Sequence, residues 1–261
     1  MIQFNVIMKS AALQTRVHVN VLLPEVFDTH RFGELMPLYP FDTKFKTLYL
    51  LHGAYDDSTC WIRRTNIEKI ADEKGFAVVM PEVGNSFYCD MVHGPNWYTF
   101  MTEELPQAMR RNFPLSDRKE DNFMAGLSMG GYGTMMISLN HPERFQAVAS
   151  MSGALNMARQ ITDLEQRIPV NDIWGSIENY KGSQYDIIHM LEKAKNEGVD
   201  LPRMFQVVGT EDFLYDQNMD FKHTCEKLGI PVHYEELPGG HDWAIWRKYL
   251  PIIVDWMFDE K

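Results

Sequence analysis

The segment Gly126-Leu127-Ser128-Met129-Gly130 sets a serine between two glycines in the spacing G-x-S-x-G. Between a strand and a helix, this pattern makes a sharp turn that lifts the hydroxyl above the sheet edge. Side chains at the flanking positions would collide with the crossing backbone, hence the glycines. Alone, the pentapeptide is also compatible with a merely structural turn. Here the strand-like Asn122–Ala125 precedes it, and Gly131-Tyr132-Gly133-Thr134-Met135-Met136 continues as a small-residue helix, so Ser128 reads as a nucleophile. A serine hydroxyl at neutral pH needs a base to remove its proton, and the base needs an orienting group. The order expected around such a turn is serine, acid, histidine. Asp212 follows the apolar Val207-Val208-Gly209, and His241 follows Pro238-Gly239-Gly240 at the start of the last helix. Glu211 is a near rival for the acid. Asp216 is a weaker one, better placed to start the next helix. His241 could instead cap or pack that last helix, but the other histidines are worse bases. His18 and His233 sit in strands and His223 in a helix, while His93 and His189 are at most pocket residues.

Acyl transfer at Ser128 would develop negative charge on a carbonyl oxygen, which backbone N–H groups can hold. One donor belongs to the residue after the nucleophile, Met129. The other belongs to the turn His52-Gly53-Ala54-Tyr55, at Ala54 with Gly53 as the close alternative. His52 shapes that turn rather than ionising. Tyr55, Trp61, Phe87, Tyr88, Trp97, Trp174 and Tyr215 gather near the same predicted strand ends. Each is either a core filler or a pocket wall. Gly53, Tyr55, Trp97, Trp174 and Tyr215 are taken as the candidate pocket set. Asp56-Asp57 and Asp90 read as loop and capping residues. There is no H-E-x-x-H, no phosphate-binding G-x-x-x-x-G-K-[ST] and no G-x-G-x-x-G, so neither metal nor organic cofactor is implied.

These groups must be positioned by a sheet. Residues 3–8 and 16–23 read as strands, the second alternating through Val17, Val19 and Val21. Thr47–Leu51 is a nearly continuous apolar run and Phe76–Met80 the next one, as in strands buried on both faces. Strands are also expected at 122–126, 145–150, 205–208 and 232–236. Helices are expected at 61–74, 97–112, 129–140, 187–197, 216–228 and 243–258, with Pro106 bending or breaking the second. The last helix carries Trp243, Trp246, Leu250, Val254 and Met257 as its buried stripe. Residues 151–185 lack a clean period and read as an insertion over one end of the sheet. Alternating buried strands and helices predict an α/β fold: a mostly parallel central sheet with helices on both faces, spanning 1–261 as one domain. Ligands then bind at the carboxyl ends of the strands, where Ser128, Asp212 and His241 fall.

Composition narrows the partners. The chain has 261 residues, 45% hydrophobic, with a net charge of -11 and no Lys/Arg-rich block, which disfavours nucleic acid. The N-terminus begins as a strand rather than a signal segment, and no apolar stretch is long enough to insert into a membrane. Cys60, Cys89 and Cys225 are odd in number and widely spaced, which suggests a reducing, cytoplasmic setting. Exposed aromatics or the insertion could support a homo-oligomer.

Several motifs together resemble the esterase D family of α/β-hydrolases, in particular the bacterial tributyrin esterases. They are Leu50-Leu51-His52-Gly53-Ala54-Tyr55-Asp56-Asp57, Gly94-Pro95-Asn96-Trp97-Tyr98, Gly126-Leu127-Ser128-Met129-Gly130-Gly131-Tyr132-Gly133, Gly209-Thr210-Glu211-Asp212-Phe213-Leu214-Tyr215 and Gly239-Gly240-His241-Asp242-Trp243. The resemblance spans almost the whole chain. It implies cofactor-free hydrolysis of short-chain acyl esters, with Ser128, Asp212 and His241 as nucleophile, acid and base. Ala54 and Met129 match the oxyanion positions. Relatives of this family include S-formylglutathione hydrolases, feruloyl and acetylxylan esterases, and mycolyltransferases. A thioester, a sugar ester or transfer to an acceptor other than water therefore stand as alternatives to a simple small-molecule ester.

Overall fold

The computed structural model describes residues 1–27, 37–159 and 169–259. Eight strands form one sheet: β1 (Ile2–Ser10), β2 (Thr15–Leu23), β3 (Thr47–Leu51), β4 (Ala77–Pro81), β5 (Asn122–Leu127), β6 (Ala147–Met151), β7 (Arg203–Gly209) and β8 (His233–Leu237). Their spatial order is β1-β2-β4-β3-β5-β6-β7-β8. The β1–β2 and β2–β4 pairings are antiparallel, and every other pairing is parallel.

Strand periodicity explains the two cores. Successive side chains point to opposite faces of a strand. Leu48 and Leu50 of β3 therefore pack on one face with α1 (Cys60–Arg64), α2 (Ile67–Lys74) and the C-terminal helix Trp243–Phe258. Tyr49 and Leu51 pack on the other, against the helical segments between residues 97 and 140. Both faces being covered, β3 to β6 are buried at every position. At the outer edge, β8 is instead polar, with His233, Glu235 and Glu236, which discourages pairing with another chain.

Two helices differ from the sequence expectation. The helix expected over 61–74 is two, because the Thr65 hydroxyl donates to the Trp61 carbonyl (2.6 Å) and accepts from the Ile67 amide (3.2 Å). A threonine side chain that bonds the nearby backbone in this way competes with the helical ladder. Between 97 and 112, α3 (Trp97–Thr99) passes through a π turn (Phe100–Glu104) into α4 (Leu105–Asn112). Pro106 has no N–H to offer the Thr102 carbonyl, and that carbonyl is taken by Arg144 Nη1 at 2.6 Å.

The remaining α-helices among the described residues are α5 (Met129–Asn140), α6 (Val170–Trp174), α7 (Ile177–Tyr180), α8 (Ile187–Glu197), α9 (Tyr215–Leu228) and α10 (Trp243–Phe258). The insertion at 151–185 lies partly outside the described residues. Its described part holds a short 3-10 turn at Met157–Arg159 with α6 and α7, and Val92 and His93 donate to the α6 carbonyls of Ile173 and Asp172. A mostly parallel sheet with helices on both faces is the α/β-hydrolase architecture.

Candidate active site

Ser128 stands between β5 and α5 with φ 53° and ψ −119°, a region that non-glycine residues rarely occupy. The neighbouring glycines make this turn possible. A Cβ at Gly126 would run into the Gly130 carbonyl, and a Cβ at Gly130 would lie 2.5 Å from the Leu51 carbonyl oxygen and 2.7 Å from that of His52. Met129 opens α5, so its amide is among the first N–H groups, for which a helix provides no internal acceptor.

The structure brings Ser128, His241 and Asp212 together from three strand ends. His241 Nε2 lies 2.9 Å from Ser128 Oγ, and Nδ1 lies 3.0 Å from each Asp212 carboxylate oxygen. Asp212 is buried, and its Oδ1 also accepts from the Leu214 amide at 2.8 Å, which locks the carboxylate orientation. With Nδ1–H directed at the carboxylate, Nε2 is left as the acceptor that a serine proton requires. The imidazole is gripped by Phe213 and Trp246, whose rings lie 4.5 and 5.0 Å from it. The rival acids lie elsewhere: Glu211 is exposed, and Asp216 pairs with Arg159 at 3.4 Å.

The turn after β3 is held by its carbonyls. The Leu51 carbonyl accepts from Trp61 Nε1 (3.1 Å), and the His52 carbonyl accepts from the Tyr88 hydroxyl (2.8 Å). His52 is buried. Its Nε2 accepts from the Val83 amide at 3.1 Å, so Nδ1 carries the proton and donates to the Gly53 carbonyl at 2.8 Å. Three side chains thus fix three successive carbonyls, and Gly53 and Ala54 line the cleft above Ser128. No cysteine competes as nucleophile. Burial, reinforced by the charges of Asp56 and Asp57, raises the Cys60 thiol far above its usual range. Burial does the same to Cys89 and pushes Cys225 up to about 12.

The cleft has a volume of about 470 Å³. Of the expected walls, Gly53 and Tyr55 line it, and three others do not. Trp174 is buried behind Phe87, at 5.2 Å between ring centroids, and so supports a wall from the rear. Trp97 starts α3 and packs edge-on against Phe100. Tyr215 starts α9 with its hydroxyl on Glu236 of β8, at 2.9 Å. The apolar walls missed from sequence are Leu127, Ala154, Phe213, Leu214, Trp243 and Trp246. Trp246 is buried in the core, as the stripe of the last helix predicts, and also borders the cleft, whereas Trp243 is only partly buried against that core. A base at the head of that helix was the available signal, because residues in its first turn must then border the site. Asp57 accepts from the Thr59 amide in the turn before α1, and Asp90 accepts from the Thr99 amide in the first turn of α3.

Comparison with known proteins agrees with this geometry. A family described as "Putative esterase" matches residues 10–257. An acetyl esterase of Caldicellulosiruptor saccharolyticus is 32% identical over 221 residues, which cover 81% of this chain and 83% of that protein. Among solved structures, the substrate-bound fluorophosphonate-binding serine hydrolase FphF of Staphylococcus aureus superimposes with a TM-score of 0.89 at 32% identity, over 99% of each chain. The S-formylglutathione hydrolase FrmB of Staphylococcus aureus does so with a TM-score of 0.85 at 32% identity, over 98% of each chain. This chain therefore belongs to the esterase family of α/β-hydrolases that includes acetyl esterases and S-formylglutathione hydrolases, and it is a serine hydrolase.

Proposed function

We propose that the chain is a carboxylesterase that hydrolyses short-chain acyl esters through an acyl-enzyme on Ser128. His241 Nε2 takes the hydroxyl proton as Ser128 Oγ bonds to the ester carbonyl carbon. Asp212 holds the imidazole tautomer and stabilises the imidazolium. The Met129 and Ala54 amides hold the oxyanion. As the intermediate collapses, the C–O bond to the alcohol breaks and His241 returns the proton to the leaving oxygen. Water, deprotonated by the same imidazole, then attacks the acyl carbon, and the acid departs as Ser128 regains its proton. Every role has a group on this chain. The observation that carries the reading is the unbroken relay from Asp212 to Ser128, at 3.0 and 2.9 Å.

Apolar walls from Phe87, Leu127, Met129 and Leu214 support a small apolar acyl group such as the butyryl group of tributyrin. The likeness to an acetyl esterase supports the same range. The likeness to an S-formylglutathione hydrolase supports a second reading, an acyl thioester of glutathione cleaved by the same relay. Three buried, unpaired cysteines support a cytoplasmic setting, and no described helix is long and apolar enough to cross a membrane. The test is hydrolysis of p-nitrophenyl esters from acetate to decanoate by wild type and Ser128→Ala. Fast turnover of the short esters by wild type and background rates for the variant are expected. No turnover by wild type above the variant at any chain length would refute the carboxylesterase reading.

A further inference from the structure

We propose that the cleft selects esters whose leaving group is neutral or cationic and rejects anionic ones, an inference that rests on the esterase reading above. Apart from His241 and the Tyr55 phenol, the ionisable side chains among the described residues that line the cleft are Asp56 and Asp242, and none of those lining residues is lysine or arginine. The guanidinium groups next to this rim are already engaged. Arg63 Nη2 holds Asp56 at 2.8 Å and Asp57 at 3.3 Å. Arg64 Nε lies 3.8 Å from Asp56, with its guanidinium 5.4 Å over the Trp243 ring. Those two cations and two carboxylates cancel.

Asp242 has no cationic partner among the described residues. Its Oδ1 caps α10 by accepting from the amides of Ala244 (2.7 Å) and Ile245 (3.4 Å). The helix end offsets part of its charge. Buried Asp212 adds a second negative charge directly behind the imidazole. The net field at the mouth is therefore negative, in a chain of net charge -11.

A leaving group that carries carboxylates, as glutathione does, would enter this field with no lysine or arginine among the described lining residues to receive it. A neutral alcohol or aryl group would instead meet the exposed rings of Tyr55 and Phe213. A cationic group would gain both Asp242 and those aromatic rings. One unit charge about 8 Å away across a largely aqueous cleft changes binding by roughly two- to five-fold at low salt. Leaving groups of opposite charge should then differ by about ten-fold.

The test compares kcat/KM for phenyl acetate, 3-carboxyphenyl acetate and 3-(trimethylammonio)phenyl acetate, each normalised to its hydroxide-catalysed rate. Two thioesters are added: S-acetylglutathione and the neutral S-acetyl-N-acetylcysteamine. The readout is the ratio between substrates. Wild type should prefer the cationic and neutral esters, and the preference should shrink with added salt. Asp242→Asn keeps the helix cap while removing the charge; it should slow the cationic ester and speed the anionic one by roughly two- to five-fold each, and so narrow the cation-to-anion ratio by about ten-fold. S-acetylglutathione should be cleaved more slowly than the neutral thioester. Equal turnover of all three aryl esters at low salt would overturn the inference and leave the esterase reading standing. So would faster cleavage of the glutathione thioester. Absence of turnover on every substrate would overturn both.

Discussion

Replacing Gly130 by alanine puts a methyl group between the two elements that carry the proposed oxyanion donors. The new carbon would lie 2.5 Å from the Leu51 carbonyl oxygen and 2.7 Å from the His52 carbonyl oxygen, whereas ordinary contact begins at 3.4 Å. Something must therefore give by about 0.9 Å. Both obstacles are backbone, and both carbonyls are tethered, one by Trp61 and the other by Tyr88. The relief available is a shift of α5 away from the turn after β3, which separates the Met129 amide from the Ala54 amide. Misplacement by about 1 Å costs on the order of 10²-fold in rate, close to the loss of one oxyanion donor at about 3 kcal/mol. KM should change little, because the loss falls on the transition state. Overpacking should also cost about 1–3 kcal/mol of stability, even though alanine is the better helix former by about 1 kcal/mol. The assay is kcat and KM on p-nitrophenyl acetate, with near-UV circular dichroism and Tm to show that the variant is folded. A folded Gly130→Ala enzyme with kcat within about three-fold of wild type would refute the close-approach argument.

Two further predictions concern groups away from the reacting atoms. Asn218 is fully buried and donates to the Gly153 and Leu214 carbonyls, both at 2.9 Å, while Leu214 in turn holds Asp212. Asn218→Leu should lower kcat by about ten-fold with KM within two-fold, and an equal loss in both or none would contradict a positioning role. Asp121, just before β5, is largely buried, which by itself would raise its pKa. Hydrogen bonds from Arg118 and Ser116 outweigh burial and hold the carboxyl below its ordinary 3.8. Its stabilisation is therefore present above that value and is lost as pH falls through the lower folded value. Asp121→Asn should cost about 1.5–3 kcal/mol in urea unfolding at pH 7, and the gap should close in acid below the ordinary value. A gap independent of pH would show that the charge is irrelevant.

Much of this fold is legible because its physics is local. Thr47–Leu51 and Ala77–Pro81 are apolar at nearly every position, since both faces of the sheet are covered, and that alone marks parallel central strands. The turn at Ser128 is legible because glycine is required on both sides where backbones cross. Asp212 and His241 could be located because strand ends in such a sheet share one edge. The walls were less legible. They come from side-chain direction rather than element type, so Trp97 and Trp243 look alike in sequence, yet only Trp243 reaches the cleft. The break at Thr65 depends on one hydroxyl bonding two backbone groups, which composition does not reveal.

The esterase cycle requires that Ser128 be acylated, and that species can be trapped. Wild type mixed with p-nitrophenyl acetate, quenched in acid within the first turnover and digested, should yield one peptide heavier by a single acetyl group, with the modification on Ser128. The signal should be lost in Ser128→Ala and should decay as water completes the cycle. An acetyl group found on another residue, or wild-type turnover that persists undiminished in Ser128→Ala, would contradict the account.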